Sequence, residues 1–241
     1  MSTQKILLEE RDDVATLTLN RPDRGNLVDG EMMEAVEGIL SELSAKGRSR
    51  VLVVCGQGDH FCAGREPWPK PTKSAEDWGG ELGQIVRVNR LLTSFPGITI
   101  ALVQGKANGF GFGLAVLSDL TLAAENSRFS FSEIKAGFPP TIVMSYLSRW
   151  MSRKKAFEMV ITGEEIDGQE AERLGLVTRV VTQNRLVSEG ERWVNLLLKQ
   201  DAKALAACKE FFRETAYLNP EDAARYGVAL LANFTSSKSG R

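Results

Sequence analysis

The chain has 241 residues, 43% hydrophobic and 25% charged, with a formal net charge of −1. That balance suits one compact domain or one domain with a helical appendage, and it excludes a broad basic face for nucleic acid. Three cysteines without metal spacing and one histidine, His60, exclude a histidine-rich metal site and suit a reducing compartment, with a cytoplasmic location expected.

Lys5–Glu9 and Val14–Leu19 are expected as strands around an Asp12-Asp13 turn; in the second, Val14, Thr16 and Thr18 alternate with Ala15, Leu17 and Leu19. The N-terminal Met1-Ser2-Thr3-Gln4-Lys5 leads into an acidic stretch, so no secretory signal is expected. Asn20 to Gly25 form a loop. A helix starts near Asp29, carries Met32, Met33, Val36, Ile39, Leu40 and Leu43 at helical spacing, and ends at Gly47. Val51–Cys55 is a short buried strand, and the Pro67-Trp68-Pro69-Lys70-Pro71 run is expected as a rigid pocket wall or lid. Glu81–Thr93 is helical, Ile98–Val103 a strand, Gly113–Leu117 a short helix and Leu120–Ala123 a strand. Apolar strands alternating with helices argue for a parallel α/β core. Helices over Ala156–Ile161 and Gly168–Leu174 end at Gly163 and Gly175. Leu176–Val181 has a strand pattern. Leu186–Lys199, Ala202–Tyr217 and Glu221–Leu231 are amphipathic helices, followed by a frayed polar tail. No apolar run is long enough to span a bilayer.

The chemistry concentrates in two glycine-rich segments and one acid: Phe61-Cys62-Ala63-Gly64-Arg65, Gly109-Phe110-Gly111-Phe112-Gly113, and Glu133. Glycines let backbone approach a ligand closely, with N–H groups aimed at an oxygen. Two such donors and one carboxylate suffice for proton transfer beside a carbonyl, the donors holding an enolate oxygen and the acid moving the proton.

In ordered motifs from about Val14 to Phe234 the chain resembles the crotonase superfamily, also called the enoyl-CoA hydratase/isomerase family. The motifs are Asn20-Arg21-Pro22, Phe61-Cys62-Ala63-Gly64, Gly105 through Asp119, Phe129 through Gly137 with Pro140, and Leu174-Gly175-Leu176-Val177. The resemblance implies a ββα spiral core, residues 1–182, carrying an acyl-CoA site, and a C-terminal helical trimerisation region, residues 183–241. It implies homotrimers or homohexamers, an acyl-CoA thioester substrate, and no cofactor beyond the coenzyme A of the substrate. By position, the oxyanion donors would be the backbone N–H groups of Arg65 and Phe110, with Ala63, Gly64, Gly109 and Gly111 shaping the substrate site. Glu133 would be the acid/base. Gly113 stands where the family's hydratases carry another glutamate, so a single-acid double-bond isomerase is expected. Hydration, hydrolysis or C–C cleavage on the same enolate are the alternatives, and a binding protein without chemistry is the alternative class.

Further residues are candidates, Arg24 and Lys209 by the same resemblance and the others by their own character and place in the sequence. Phe131, Phe138 and Trp68, with Thr141, would shape the acyl pocket, and Arg24 and Lys209 would meet the CoA phosphates. Asp119 is expected to be structural and His60 a loop residue. Tyr146, Glu66 and Glu81 are the candidates for a second polar group beside Glu133. The late apolar residues Leu196–Leu198, Phe211, Phe212, Leu230 and Leu231 are expected to serve assembly.

Overall fold

The computed structural model describes residues 4–66 and 74–239. Its strands are β1 (Ile6–Arg11), β2 (Val14–Leu19), β3 (Val51–Gly56), β4 (Ile98–Val103), β5 (Lys106–Asn108), β6 (Leu120–Ala124), β7 (Arg128–Ser130), β8 (Ile166–Asp167) and β9 (Arg179–Val181). Its helices are α1 (Gly30–Lys46), α2 (Ala75–Thr93), α3 (Phe110–Leu117), α4 (Thr141–Leu147), α5 (Arg153–Thr162), α6 (Gly168–Arg173), α7 (Leu186–Leu198), α8 (Ala202–Glu214) and α9 (Pro220–Ser239).

The main sheet runs β1-β2-β3-β4-β6-β9. The β1–β2 pair is antiparallel and every other neighbour is parallel. A small sheet, β5-β7-β8, stands beside it. Both strand and helix chemistry follow the sequence locally. In β2, alternate residues Ala15, Leu17 and Leu19 are buried, as a period of two requires. All six residues of β4 are buried, as expected of a central parallel strand covered on both faces. In α1, the Asp29 side chain accepts from the Met32 N–H as the N-cap, and Gly47 ends the helix in the left-handed region at φ 62°.

Two apolar layers flank the main sheet. One joins Leu17, Leu52 and Val54 to Met32, Met33, Val88, Leu92, Phe112 and Leu114, so α1, α2 and α3 all pack there. The other joins Val51, Val53, Ile100, Leu102 and Leu122 to Leu186, Trp193, Val194, Leu197 and Leu198 of α7. Helix α7 thus covers the second face of the sheet, while α8 and α9 pair with each other beyond it.

The structure departs from expectation in local extents. Residues 176–178 are not strand, and β9 is confined to Arg179–Val181. Helix α9 continues to Ser239, so the expected frayed tail is helical over its described length. Helix α2 begins at Ala75, where a Ser74–Asp77 capping box satisfies the first-turn N–H groups. The proline-rich run 67–71, with Trp68, lies outside the described residues.

Candidate active site

The two glycine segments meet through backbone. Cys62 and Ala107 form an isolated parallel bridge, the Cys62 N–H donating to the Lys106 carbonyl and the Asn108 N–H to the Cys62 carbonyl, each at 2.9 Å. Gly64 adopts φ +114°, and a methyl group on it would lie 3.4 Å from the Asn108 carbonyl oxygen. Further along, the Val28 N–H donates to the Gly64 carbonyl and the Glu66 N–H to the Val28 carbonyl. Because successive peptide groups in an extended chain alternate sides, this pairing turns the Arg65 N–H away from Val28.

The second expected donor, the Phe110 N–H, lies at the start of α3. Phe110 is the first residue of that helix, where an N–H has no intrahelical acceptor. The unusual backbone angles fall on Gly109, at φ 50° and ψ −110°, and Phe110 is absent from the non-glycine residues with positive φ. A phenylalanine at this place therefore keeps a usable main-chain donor. A methyl group on Gly111 would come within 2.5 Å of Cys62, so this glycine is required for the close approach of the two segments.

Glu133 reaches the same place from a 3₁₀ turn, Ser132–Ala136, that follows β7. The Gly109 N–H donates to the Ser130 carbonyl at 3.0 Å, which fixes the end of β7 against the start of α3. The carboxylate lies over Gly109: a methyl there would be 2.1 Å from Glu133 Oε1. Glu133 Oε2 is buried without a hydrogen-bond partner among the described residues. Burial pushes this carboxyl above its ordinary range, opposed in part by its own backbone N–H. A carboxyl so placed suits taking a proton from carbon and returning it.

Other expected site residues are distributed unevenly. Ala63 is half-buried and its N–H donates to the Gly25 carbonyl. Arg24 is exposed, with Nη2 3.7 Å from Glu66 Oε1, close in sequence to Arg65. Thr141 is exposed at the start of α4, and Phe138 is 52% exposed. Phe131 departs from its expected place in the pocket wall. It is fully buried with its ring centroid 4.4 Å from that of Phe112, because it directly follows β7 and packs against α3. Lys209 is also corrected: its ammonium donates to Asp119 Oδ2 at 2.7 Å and to the Gly97 carbonyl at 2.9 Å, and the side chain is 8% exposed. That charge is engaged inside the fold and is not presented to a phosphate. Asp119 is structural as expected, but its partners are Lys209 and Thr99, with the Thr99 N–H and hydroxyl both donating to it.

His60 is a loop residue whose Nδ1 accepts from the Lys106 N–H at 3.3 Å. The Cys62 thiol is pushed up to about 12 by burial, which keeps it protonated and unreactive. Of the three candidates for a second polar group, Glu66 pairs with Arg21 at 2.8 Å and Glu81 stands 4.0 Å from Arg65. Tyr146 is the one brought to α3: a methyl on Gly113 would lie 2.8 Å from Tyr146 Oη and 3.9 Å from Asn89 Oδ1. Asn89 was not expected from the sequence. Its signal is positional, since it falls in the stripe Ile85, Val88, Asn89, Leu92 of α2, where a polar residue interrupts an apolar face. A cavity of about 630 Å³ lies elsewhere, between β2, β3, β4 and α7, and none of these site residues lines it.

A spiral of ββα units carrying a helical C-terminal region is the crotonase fold. The enoyl-CoA hydratase/isomerase family profile matches residues 9–241. A Rhizobium meliloti protein named as a probable enoyl-CoA hydratase is 32% identical over 78% of this chain and 73% of its own length. A Mycobacterium bovis protein of the same name is 30% identical over 87% of this chain and 81% of its own. The crystal structure of an enoyl-CoA hydratase from Mycobacterium smegmatis superposes with a TM-score of 0.91 at 30% identity, covering 95% of this chain and 90% of that one. The chain belongs to the enoyl-CoA hydratase/isomerase family and is an enzyme of that family. Among the described residues, no helix is long and apolar enough to cross a membrane.

Proposed function

We propose that this enzyme moves the double bond of an enoyl-CoA through an enolate, with Glu133 as the sole acid/base. The observation that carries the reading is the buried Glu133 carboxylate over Gly109 at the start of α3, while the nearest atoms to a side chain at Gly113, among the described residues, belong to Tyr146 and Asn89. The thioester oxygen sits between the backbone N–H groups of Arg65 and Phe110. Glu133 removes a proton from Cα or Cγ, and the C–H electrons move onto the thioester oxygen as an enolate or dienolate. The two donors stabilise that charge as it forms, and removal of one such donor typically costs about 3 kcal/mol at the transition state. Glu133 then returns the proton to a different carbon, leaving the double bond in conjugation. Atoms and electrons balance without any redox partner. In this reading Arg24, whose exposed guanidinium lies 3.7 Å from Glu66, meets a phosphate of the CoA moiety.

A second reading, hydration of a 2-enoyl-CoA, is favoured by the hydratase names of the relatives and by the polar groups of Tyr146 and Asn89 next to Gly113. Proton NMR of the enzyme with a 3-enoyl-CoA and a 2-enoyl-CoA in D₂O separates the two. Deuterium at the α or γ carbon with a shifted double bond is the expected result. Accumulation of the 3-hydroxyacyl-CoA would instead establish the hydratase.

The same reading includes a homotrimer or homohexamer. Phe212, Val228 and Leu231 are 77%, 70% and 65% exposed on α8 and α9, a concentration of apolar surface that a solitary chain would leave in water. Sedimentation at micromolar concentration is expected to show three or six chains, and a monomer would remove this part of the proposal.

A further inference from the structure

Buried polar atoms in a folded protein are nearly always paired, so each exception asks for a partner. Two exceptions here lie around α3. Glu133 Oε2, over Gly109, is accounted for by the proton it moves. Asn89 Oδ1 is also buried with no hydrogen-bond partner among the described residues, and the isomerisation does not use it. It points to the space left by the missing side chain of Gly113, where Tyr146 Oη also arrives. Three elements, α2, α3 and α4, therefore converge on one spot, and two of them bring a polar tip there.

We propose that Tyr146 and Asn89 form a second polar station in the acyl pocket, one helical turn along α3 from Glu133, that holds a single hydroxyl-type oxygen. The inference rests on the reading of this pocket as an acyl thioester site. Gly109 and Gly113 are joined by a backbone hydrogen bond of 3.0 Å, so the station and the carboxylate stand over positions about 6 Å apart along the helix axis. They are neighbours that can serve adjacent carbons of one chain. The phenol O–H donates and the carboxamide oxygen accepts, which complements an oxygen that carries its own proton. An apolar chain at this spot would leave both tips unpaired, and a carbonyl oxygen would satisfy Tyr146 while leaving Asn89 Oδ1 without a donor. Tyr146 is 8% exposed, and burial together with the nearby Glu133 charge pushes its pKa upward, so the donor proton stays in place across the working range.

One hydroxyl chemistry has two sources, a water molecule or a hydroxyl substituent on the acyl chain. Calorimetric titration with 3-hydroxybutyryl-CoA and butyryl-CoA reads the second. The ratio of the two dissociation constants is expected to favour the hydroxy ester in the wild-type enzyme. That ratio should shrink about tenfold in Tyr146→Phe, which keeps the packed ring, and also in Asn89→Leu. The rate of 3-hydroxybutyryl-CoA formation from crotonyl-CoA reads the first source. A wild type without a binding preference but with a hydration rate that drops more than tenfold in Tyr146→Phe assigns the oxygen to water and supports the station equally. Thermal melting of each variant establishes that it is folded. Binding of both esters with ratio and hydration rate unchanged in both variants overturns the station and leaves the Glu133 reading standing. Failure of the wild-type enzyme to bind either ester overturns both.

Discussion

Glu133→Gln lowers turnover of an enoyl-CoA by about 10²–10⁴-fold, the usual contribution of a positioned acid/base, while the ester still binds. The amide keeps the shape of the side chain over Gly109 but cannot take a proton from carbon. Burial raises the carboxyl above its ordinary value of 4.5, and this gives the prediction two pH signatures. In the proposed mechanism the ionised form is the base, so the acidic limb of the activity profile is expected above the range of an exposed glutamate. For stability the sign is opposite. The folded state holds this proton more tightly than the unfolded chain, so between 4.5 and the raised value stability declines as pH rises. Above that window the full cost of the buried charge is present. Glu133→Gln lacks this cost, so it melts above the wild type at neutral pH, and the gap closes below pH 4.5. Unchanged turnover in the variant would remove Glu133 from the mechanism.

Lys209→Met is expected to destabilise the fold by about 3 kcal/mol, the order found when one member of a largely buried ion pair is removed. For a chain of this size that corresponds to a fall in melting temperature of roughly 6–12 °C. Burial pushes the Lys209 pKa down despite the attraction of Asp119, so the pair holds together without a large net gain. Losing the lysine alone is costly because, among the described residues, it leaves the Asp119 carboxylate with the Thr99 N–H and hydroxyl as its side-chain partners. Adding Asp119→Asn to Lys209→Met should restore part of the loss, since a neutral amide oxygen can still accept from the Thr99 N–H and hydroxyl. A variant that melts like the wild type but binds CoA esters weakly would return Lys209 to the phosphate site.

The parts of the fold legible in sequence were those where one local rule sufficed. Val14–Leu19 and Ile98–Val103 were bounded correctly because alternation or continuous apolarity ran uninterrupted between turn residues. Asp29 and Gly47 marked both ends of α1 by side-chain capping and left-handed termination. Strands β5, β7 and β8 were missed because two or three residues cannot show a period, and their pairing depends on distant partners. Phe131 and Lys209 carry the same lesson at the site. An aromatic and a cation next to recognisable motifs were expected to face a ligand, and both are occupied by the protein itself. The approach of Tyr146 and Asn89 to Gly113 involves residues from two other helices, and no local pattern encodes that meeting.

Both proposed oxyanion donors are main-chain groups, beside the Cys62–Ala107 bridge and in the first turn of α3. Side-chain mutagenesis is therefore nearly blind to them: an alanine scan across 61–65 and 109–113 would report on scaffold and packing, because every coded residue but proline supplies the same N–H. The donors become visible only to atomic editing. Replacing the Gly109–Phe110 amide with an ester by chemical ligation deletes one N–H and leaves every side chain in place. Substitution at 110 would then be felt as packing, because Phe110 is buried in the core, while the donor chemistry passes unchanged from one residue to the next.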